Sequence, residues 1–175
     1  MYKVYPSKRY KHTLDFLQKY VSKDQEILDL GVENPFSTIM KEEGYSVTNT
    51  KGEDLDVDFS DVVASNAQVV TAFEIFEHLL APLNILKEVK ADKLVTSIPM
   101  RLWFSTAYRS KTDIWDRHYH EFEDWQFDWL LEKAGWEIKA TSKWTNPVKK
   151  IGFRPLLRLF TPRYYIVYAE RKKSS

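Results

Sequence analysis

A short apolar segment that ends in a glycine constrains the fold of this chain more than any other feature. Residues 27–30 contain three aliphatic side chains and Asp29, and Gly31 follows them. Such a segment is typical of a buried parallel strand, and residues 37–43 after it have the pattern of a helix. A strand, a glycine turn and a helix form the first unit of a doubly wound sheet, in which ligands bind beyond the carboxyl ends of the strands. The same residues could also serve only the turn, with Asp29 as its cap.

Strands and helices continue to alternate along the chain. The first helix is predicted over 10–21, where apolar side chains recur every three or four residues. Further helices are predicted at 37–43, 60–67, 74–89 and 122–134, and strands at 27–30, 45–49, 54–59, 68–73, 93–98, 136–141 and 163–170. This alternation predicts one α/β domain over residues 1–175, a three-layer sandwich with helices on both faces of a sheet.

Composition and charge narrow the class of protein. The chain has no cysteine, which excludes disulfide bonds and thiolate metal sites and suits a cytoplasmic protein. No apolar run reaches the roughly 18 residues of a membrane span, and residues 1–6 do not resemble a signal peptide. Residues 143–175 contain nine Lys or Arg and a single Glu, although the whole chain carries only +1. This basic C-terminal part predicts an anionic partner, and a solvated basic edge is the simpler alternative.

Residues 100–121 have neither a helical nor a strand period, and they are rich in polar and aromatic side chains. A loop of this length in a compact domain is usually a lid or a substrate-binding segment. It contains His118 and His120, and either imidazole could act as a general base near neutral pH. Both histidines could instead pack against the neighbouring tryptophans. On one face of an extended segment they could also form a metal pair, but two histidines with loosely placed carboxylates are a weak pattern, so the sequence predicts no metal site.

Together these segments resemble the class I S-adenosylmethionine (SAM)-dependent methyltransferases, particularly the small-molecule branch that includes ubiquinone- and menaquinone-biosynthesis enzymes. The resemblance covers residues 10–172 and rests on four segments, 27–31, 72–79, 118–122 and 132–136. It implies a seven-stranded, mostly parallel sheet in the order 3-2-1-4-5-7-6 with one antiparallel strand. It also implies a methyltransferase that uses S-adenosyl-L-methionine and acts on a small molecule or on a glycan or lipid precursor.

The resemblance implies which residues of the first two strand ends bind the cofactor. Asp29 and Gly31 would line its methionine portion. Asn49, or the neighbouring Thr50, takes the place of the acid that usually binds the ribose hydroxyls. Asp54 lies in the segment where an acidic side chain commonly meets the adenine amino group.

Three more cofactor-binding positions lie at the end of the strand predicted at 68–73 or shortly after it. By the resemblance, Phe73 and Glu74 would lie beneath the cofactor, with His78 close by. The chain departs from the family in the first loop, where Glu33 and Pro35 replace glycines. Glu33 brings a negative charge near the place of the cofactor carboxylate, and Pro35 removes an amide donor. A degenerate methyltransferase-fold binding domain without catalytic activity is therefore the alternative function.

Two other classes fit the sequence less well. A nicotinamide-dependent Rossmann enzyme would carry a G-x-G-x-x-G pattern after the first strand and an acid at the end of the second, and neither is present. A nucleic-acid partner could use the basic C-terminal part, but no base-reading motif accompanies it. The expected partner is therefore a small-molecule acceptor, and an anionic one would suit the basic charge.

Overall fold

One mixed sheet forms the centre of the molecule, and the computed structural model describes residues 7–148 and 151–173. The six strands of the described residues are β1 (Glu26–Asp29), β2 (Ser46–Asn49), β3 (Val69–Phe73), β4 (Lys93–Pro99), β5 (Trp136–Thr145) and β6 (Pro162–Arg171). They follow the order β2-β1-β3-β4-β6-β5 across the sheet. Strand β6 runs antiparallel to both of its neighbours, whereas β1 to β4 pair in parallel.

Helices cover both faces of this sheet, as the sequence predicts for a three-layer sandwich. Successive strand residues point to opposite faces, so Ile27 and Val95 pack with α1 and α2, whereas Leu28 and Leu94 pack with α3, α4 and α5. All four of these side chains are almost fully buried. The helices are α1 (Ser7–Tyr20), α2 (Pro35–Glu42), α3 (Ser60–Ala64), α4 (Pro82–Glu88), α5 (Asp124–Lys133) and α6 (Phe153–Leu157).

The seven-stranded sheet is not confirmed, because residues 54–59 form a turn instead of a third strand. The backbone carbonyl of Asp54 accepts hydrogen bonds from the amides of Val57 and Asp58, and its side chain accepts one from the amide of Asp56. Hydrogen bonds from nearby amides to an aspartate side chain compete with the pairing of strands. The alternating apolar pattern of residues 54–59 does not reveal this competition. The remaining strands follow the expected order, and a single strand, β6, is antiparallel.

The helix predicted over 74–89 is divided in two. A 3₁₀ turn spans Phe76–His78, and α4 begins at Pro82. Proline disfavours helical geometry in the residue before it, and Ala81 has an extended φ of −131°. The long connection before β6 contains the short helix α6, which the sequence pattern did not predict. No helix of the described residues is both long and apolar enough to cross a membrane.

Candidate functional site

A cleft of about 740 Å³ opens beyond the carboxyl ends of β1, β3 and β4. Its wall includes the loop after β1, the 3₁₀ turn after β3, the first half of α1 and part of the loop 100–121. Among the described residues, its polar lining contains five carboxyl groups and one arginine or lysine, Arg9. These acids are Asp29, Glu74, Glu77, Asp113 and Asp116. An acidic cleft of this kind attracts a ligand that carries positive charge.

Asp29 lies at the base of the cleft and is only 2% exposed. One of its oxygens accepts a 2.6 Å hydrogen bond from the Thr71 hydroxyl. The other accepts bonds from the side-chain amides of Asn49, at 3.1 Å, and Asn34, at 3.4 Å. Burial raises the pKa of Asp29 to about 6, and the three hydrogen bonds limit that rise. Asp29 therefore joins three segments of chain while it adds negative charge to the cleft.

Gly31 also lines the cleft, and its φ of +98° is a left-handed conformation that favours glycine. The Gly31 amide donates a 2.9 Å hydrogen bond to the Thr50 hydroxyl, and its carbonyl accepts one of 3.2 Å from the Asn49 side chain. Asn49 and Thr50 consequently lie behind the loop, where they fix its shape, and neither lines the cleft. Asp54 does not line it either, because that residue is exposed on the turn after β2.

Asn34 is a cleft residue that the sequence analysis missed. Its side-chain oxygen accepts hydrogen bonds from the amides of Phe36, at 2.9 Å, and Ser37, at 3.1 Å, so it caps the N-terminus of α2. The Ser37 hydroxyl accepts a bond from the Asn34 amide, which completes a capping box. The signal in the sequence is the Asn residue with Ser three positions later, together with Pro35 at the first helical position.

Glu33 lies outside the cleft. Its carboxylate forms a 2.9 Å ion pair with Lys41 on α2, and its side chain is 60% exposed. The negative charge that the sequence analysis placed near the cofactor carboxylate is therefore directed to solvent. Pro35 removes no useful donor, because the first amides of a helix have no partner within the helix.

The end of β3 brings Phe73 and Glu74 to the floor of the cleft. Among the described residues, Glu74 is the one non-glycine residue with a positive φ, which is +58°. Its amide donates to the Ser97 carbonyl at 2.9 Å, and its carboxylate accepts from the Ser97 hydroxyl and pairs with Arg9. Burial raises the pKa of Glu74. Strained backbone at a cleft, held by a neighbouring strand and an ion pair, is typical of functional sites.

Behind Glu74, the side chain of Glu77 is 1% exposed, and neither carboxylate oxygen has a hydrogen-bond partner among the described residues. Burial, and after it the charge of Glu74, raises the pKa of Glu77 well above its ordinary value. The Nε2 atom of His78 lies 3.7 Å from Glu77 Oε1, and the His118 ring meets the His78 ring edge-on at 4.7 Å. Burial, and then His78, lowers the pKa of His118 to about 4.

The two histidines of the loop 100–121 lie in different places. His118 lines the cleft, whereas the Nε2 atom of His120 lies 3.2 Å from the Leu80 carbonyl and its ring stacks on Phe122. The segment is not a strand, so the two imidazoles do not share a face. A second pocket of about 560 Å³ adjoins the cleft through His118, and its basic lining consists of Arg109, Lys111 and Arg117.

Comparison with known proteins identifies the fold. No protein-family model and no curated protein matches the sequence. Among solved structures, a SAM-dependent methyltransferase from Methanosarcina mazei is 14% identical, with 99% of this chain and 100% of that chain covered and a TM-score of 0.64. A SAM-dependent methyltransferase from Mesorhizobium loti is 13% identical, with coverages of 90% and 96% and a TM-score of 0.61.

A third neighbour shows that this fold is not tied to one reaction. The [4+2]-cyclase SpnF is 12% identical, with 94% of this chain and 82% of that chain covered and a TM-score of 0.58. Sequence identities this low establish a shared fold, and the chemistry must be argued from the residues of the site. The chain therefore has the Rossmann-like α/β fold that SAM-dependent methyltransferases also have.

Proposed function

We propose that this protein is a SAM-dependent methyltransferase that acts on a small molecule or on a glycan or lipid precursor. The observation that carries the proposal is the acidic cleft beyond the carboxyl ends of β1, β3 and β4. This is where doubly wound sheets bind ligands, and the neighbours with this fold include SAM-dependent methyltransferases. S-adenosylmethionine carries a sulfonium and an ammonium group, so its cationic centres suit a lining in which carboxyl groups outnumber basic side chains.

The residues present fit this cofactor. Asp29 and Gly31 form the part of the wall that would face its methionine portion, and Asn34, between the two replaced glycine positions 33 and 35, lines the cleft beside them. Phe73 offers an apolar surface on the floor, held edge-on against Phe36 at 5.1 Å. When bound, the cofactor supplies a methyl group on a sulfonium, and the protein's part is to align the acceptor and exclude water.

The loop 100–121 supplies the acceptor side of the cleft in this proposal. Asp113, Trp115 and His118 from this loop line the cleft, so it already forms one wall. The adjoining pocket with Arg109, Lys111 and Arg117 supports an acceptor that carries negative charge. In this proposal His118, which lines both the cleft and the adjoining pocket, acts on a hydroxyl group of that acceptor, and His120 does not.

Calorimetric titration with S-adenosylmethionine, and with its demethylated product, tests the proposal. We expect saturable binding at about millimolar ligand or below, and a loss of about tenfold or more in Gly31→Ala, whose new methyl group adds bulk to the cleft lining, 3.5 Å from the Ile75 side chain. Gly44→Ala is the matched control. Gly44 has a similar φ of +92° but lies outside the cleft, so both variants carry similar backbone strain.

The alternative function, a degenerate binding domain, has its own supporting observation. The Gly31 amide already donates to the Thr50 hydroxyl, so this part of the loop does not offer that donor to a ligand. A folded wild type that releases no heat at millimolar S-adenosylmethionine would overturn the methyltransferase proposal and leave this alternative. Binding that is equal in Gly31→Ala and Gly44→Ala would place the cofactor elsewhere.

A further inference from the structure

We propose that Glu77, His78 and His118 bind a divalent transition-metal ion at the inner end of the cleft. One carboxylate oxygen of Glu77 and one ring nitrogen of each histidine lie within 4.8 Å of one another. Ligands of a metal ion at about 2.0–2.2 Å from it are roughly 3–3.5 Å apart. The 3.7 Å between Glu77 Oε1 and His78 Nε2 is close to that separation, and a ring nitrogen of His118 lies within 4.8 Å of both ligand atoms.

The state of Glu77 points to a cation. Its carboxylate is buried and lines the cleft, and neither oxygen has a hydrogen-bond partner among the described residues. The backbone of the same residue is well held, because its carbonyl accepts bonds from the amides of Tyr119, at 2.8 Å, and His120, at 3.2 Å. A buried carboxylate without a donor is costly, and a coordinated cation is one of the few ways to compensate it.

The orientation of His78 supports coordination through Nε2. Its Nδ1 atom lies 3.0 Å from the carbonyl oxygen of Arg117, and only a protonated Nδ1 can donate to that carbonyl. The proton on Nδ1 leaves the lone pair on Nε2, the atom that faces Glu77. Histidine ligands of metals are usually fixed in this way, with the second ring nitrogen bound to a carbonyl or a carboxylate.

The ligand set indicates the class of metal. Two imidazole nitrogens and one carboxylate oxygen suit Zn²⁺, Fe²⁺ or Mn²⁺ better than Ca²⁺ or Mg²⁺, which prefer oxygen ligands. Three protein ligands also leave coordination positions open toward the cleft. If the proposed methyl transfer holds, this geometry favours a hydroxyl acceptor, since a bound metal lowers the pKa of an oxygen that it coordinates. In that arrangement His118 acts on the acceptor through the metal.

The site depends on residues that are distant in the sequence. The sequence pattern pairs His118 with His120, and that pair alone predicts no metal. In the structure His120 binds the Leu80 carbonyl instead. The loop 100–121 packs against the 3₁₀ turn that contains Glu77 and His78, and this contact brings His118 to them.

Calorimetric titration of chelator-treated protein with ZnCl₂, MnCl₂ and MgCl₂ tests the metal site directly. We expect one Zn²⁺ per chain, weaker Mn²⁺ and much weaker Mg²⁺. Glu77→Gln keeps the size of the side chain and removes its charge, and it should weaken Zn²⁺ binding by about a hundredfold or more. His118→Gln should weaken it as well. His120→Gln, two residues away and outside the cleft, is the matched control and should bind Zn²⁺ as the wild type does.

Two results would overturn the metal site: a folded wild type that binds none of the three ions, or Zn²⁺ binding that Glu77→Gln and His118→Gln both leave unchanged. Circular dichroism of each variant shows whether it is folded. If Glu77→Gln fails to fold, the comparison of Zn²⁺ binding by His118→Gln and by His120→Gln still tests the site. Titration of the chelator-treated wild type with S-adenosylmethionine separates this inference from the proposed function, because cofactor binding can persist where the metal site fails, and the reverse.

Discussion

Asp29→Asn should make the protein more stable at neutral pH. The buried Asp29 carboxylate accepts bonds from Thr71, Asn49 and Asn34. An asparagine of the same shape can keep all three contacts. Its oxygen accepts from Asn49 and Asn34, and its amide donates to the Thr71 hydroxyl, which can also accept. The substitution therefore removes the buried charge and keeps the three contacts, and its cost is one additional amide N–H that needs an acceptor.

The size of the effect follows from the pKa of Asp29. Burial raises this pKa from 3.8 to about 6, so the folded protein holds the proton more tightly than the unfolded chain does. The resulting stabilisation is complete below pH 3.8 and is lost as the pH rises to about 6. Wild type should lose about 3 kcal/mol across this window relative to the variant, and the difference should stay constant at higher pH.

Urea unfolding of wild type and variant, followed by tryptophan fluorescence and circular dichroism from pH 4 to 8, measures this difference. Asp15→Asn is the matched control, because Asp15 forms an exposed ion pair with Lys11 on α1 and should change stability by no more than about 0.5 kcal/mol. A difference that does not vary with pH, or a less stable Asp29→Asn protein at pH 7, would refute the reasoning. A gain in stability with weaker S-adenosylmethionine binding would indicate that the charge is kept for the ligand.

Two further predictions concern the walls of the cleft. Asn34→Ala removes the cap of α2, whose oxygen accepts from two helix amides, and should destabilise the protein by about 1 kcal/mol in urea unfolding; Ser22→Ala, at an exposed site beyond α1, should change it little. We also expect the loop 100–121, which has no helix or regular strand, to exchange its amide hydrogens more slowly when S-adenosylmethionine is bound. Equal, strong protection of that loop with and without ligand would argue against a lid that becomes ordered.

Most of the architecture could be predicted from the sequence, although the number of strands could not. Apolar runs at residues 27–30, 68–73 and 93–98 are confirmed as β1, β3 and β4, because a strand buried on both faces needs a continuous apolar segment. The strand order of the six strands and the antiparallel β6 also agree with the resemblance to methyltransferases. Since parallel strands place their carboxyl ends at one edge, these elements were sufficient to predict where the cleft lies.

The side chains that line the cleft could not be predicted from the sequence, because tertiary contacts select them. Asn49 faces the back of the Gly31 loop and not the cleft, because its amide has two acceptors there, and no local pattern records that choice. The same holds for Glu77 and His118, which are 41 positions apart in the sequence and meet because the loop 100–121 crosses the 3₁₀ turn. Periodicity reports which face of its own element a residue occupies, whereas a site depends on side chains that distant elements bring together.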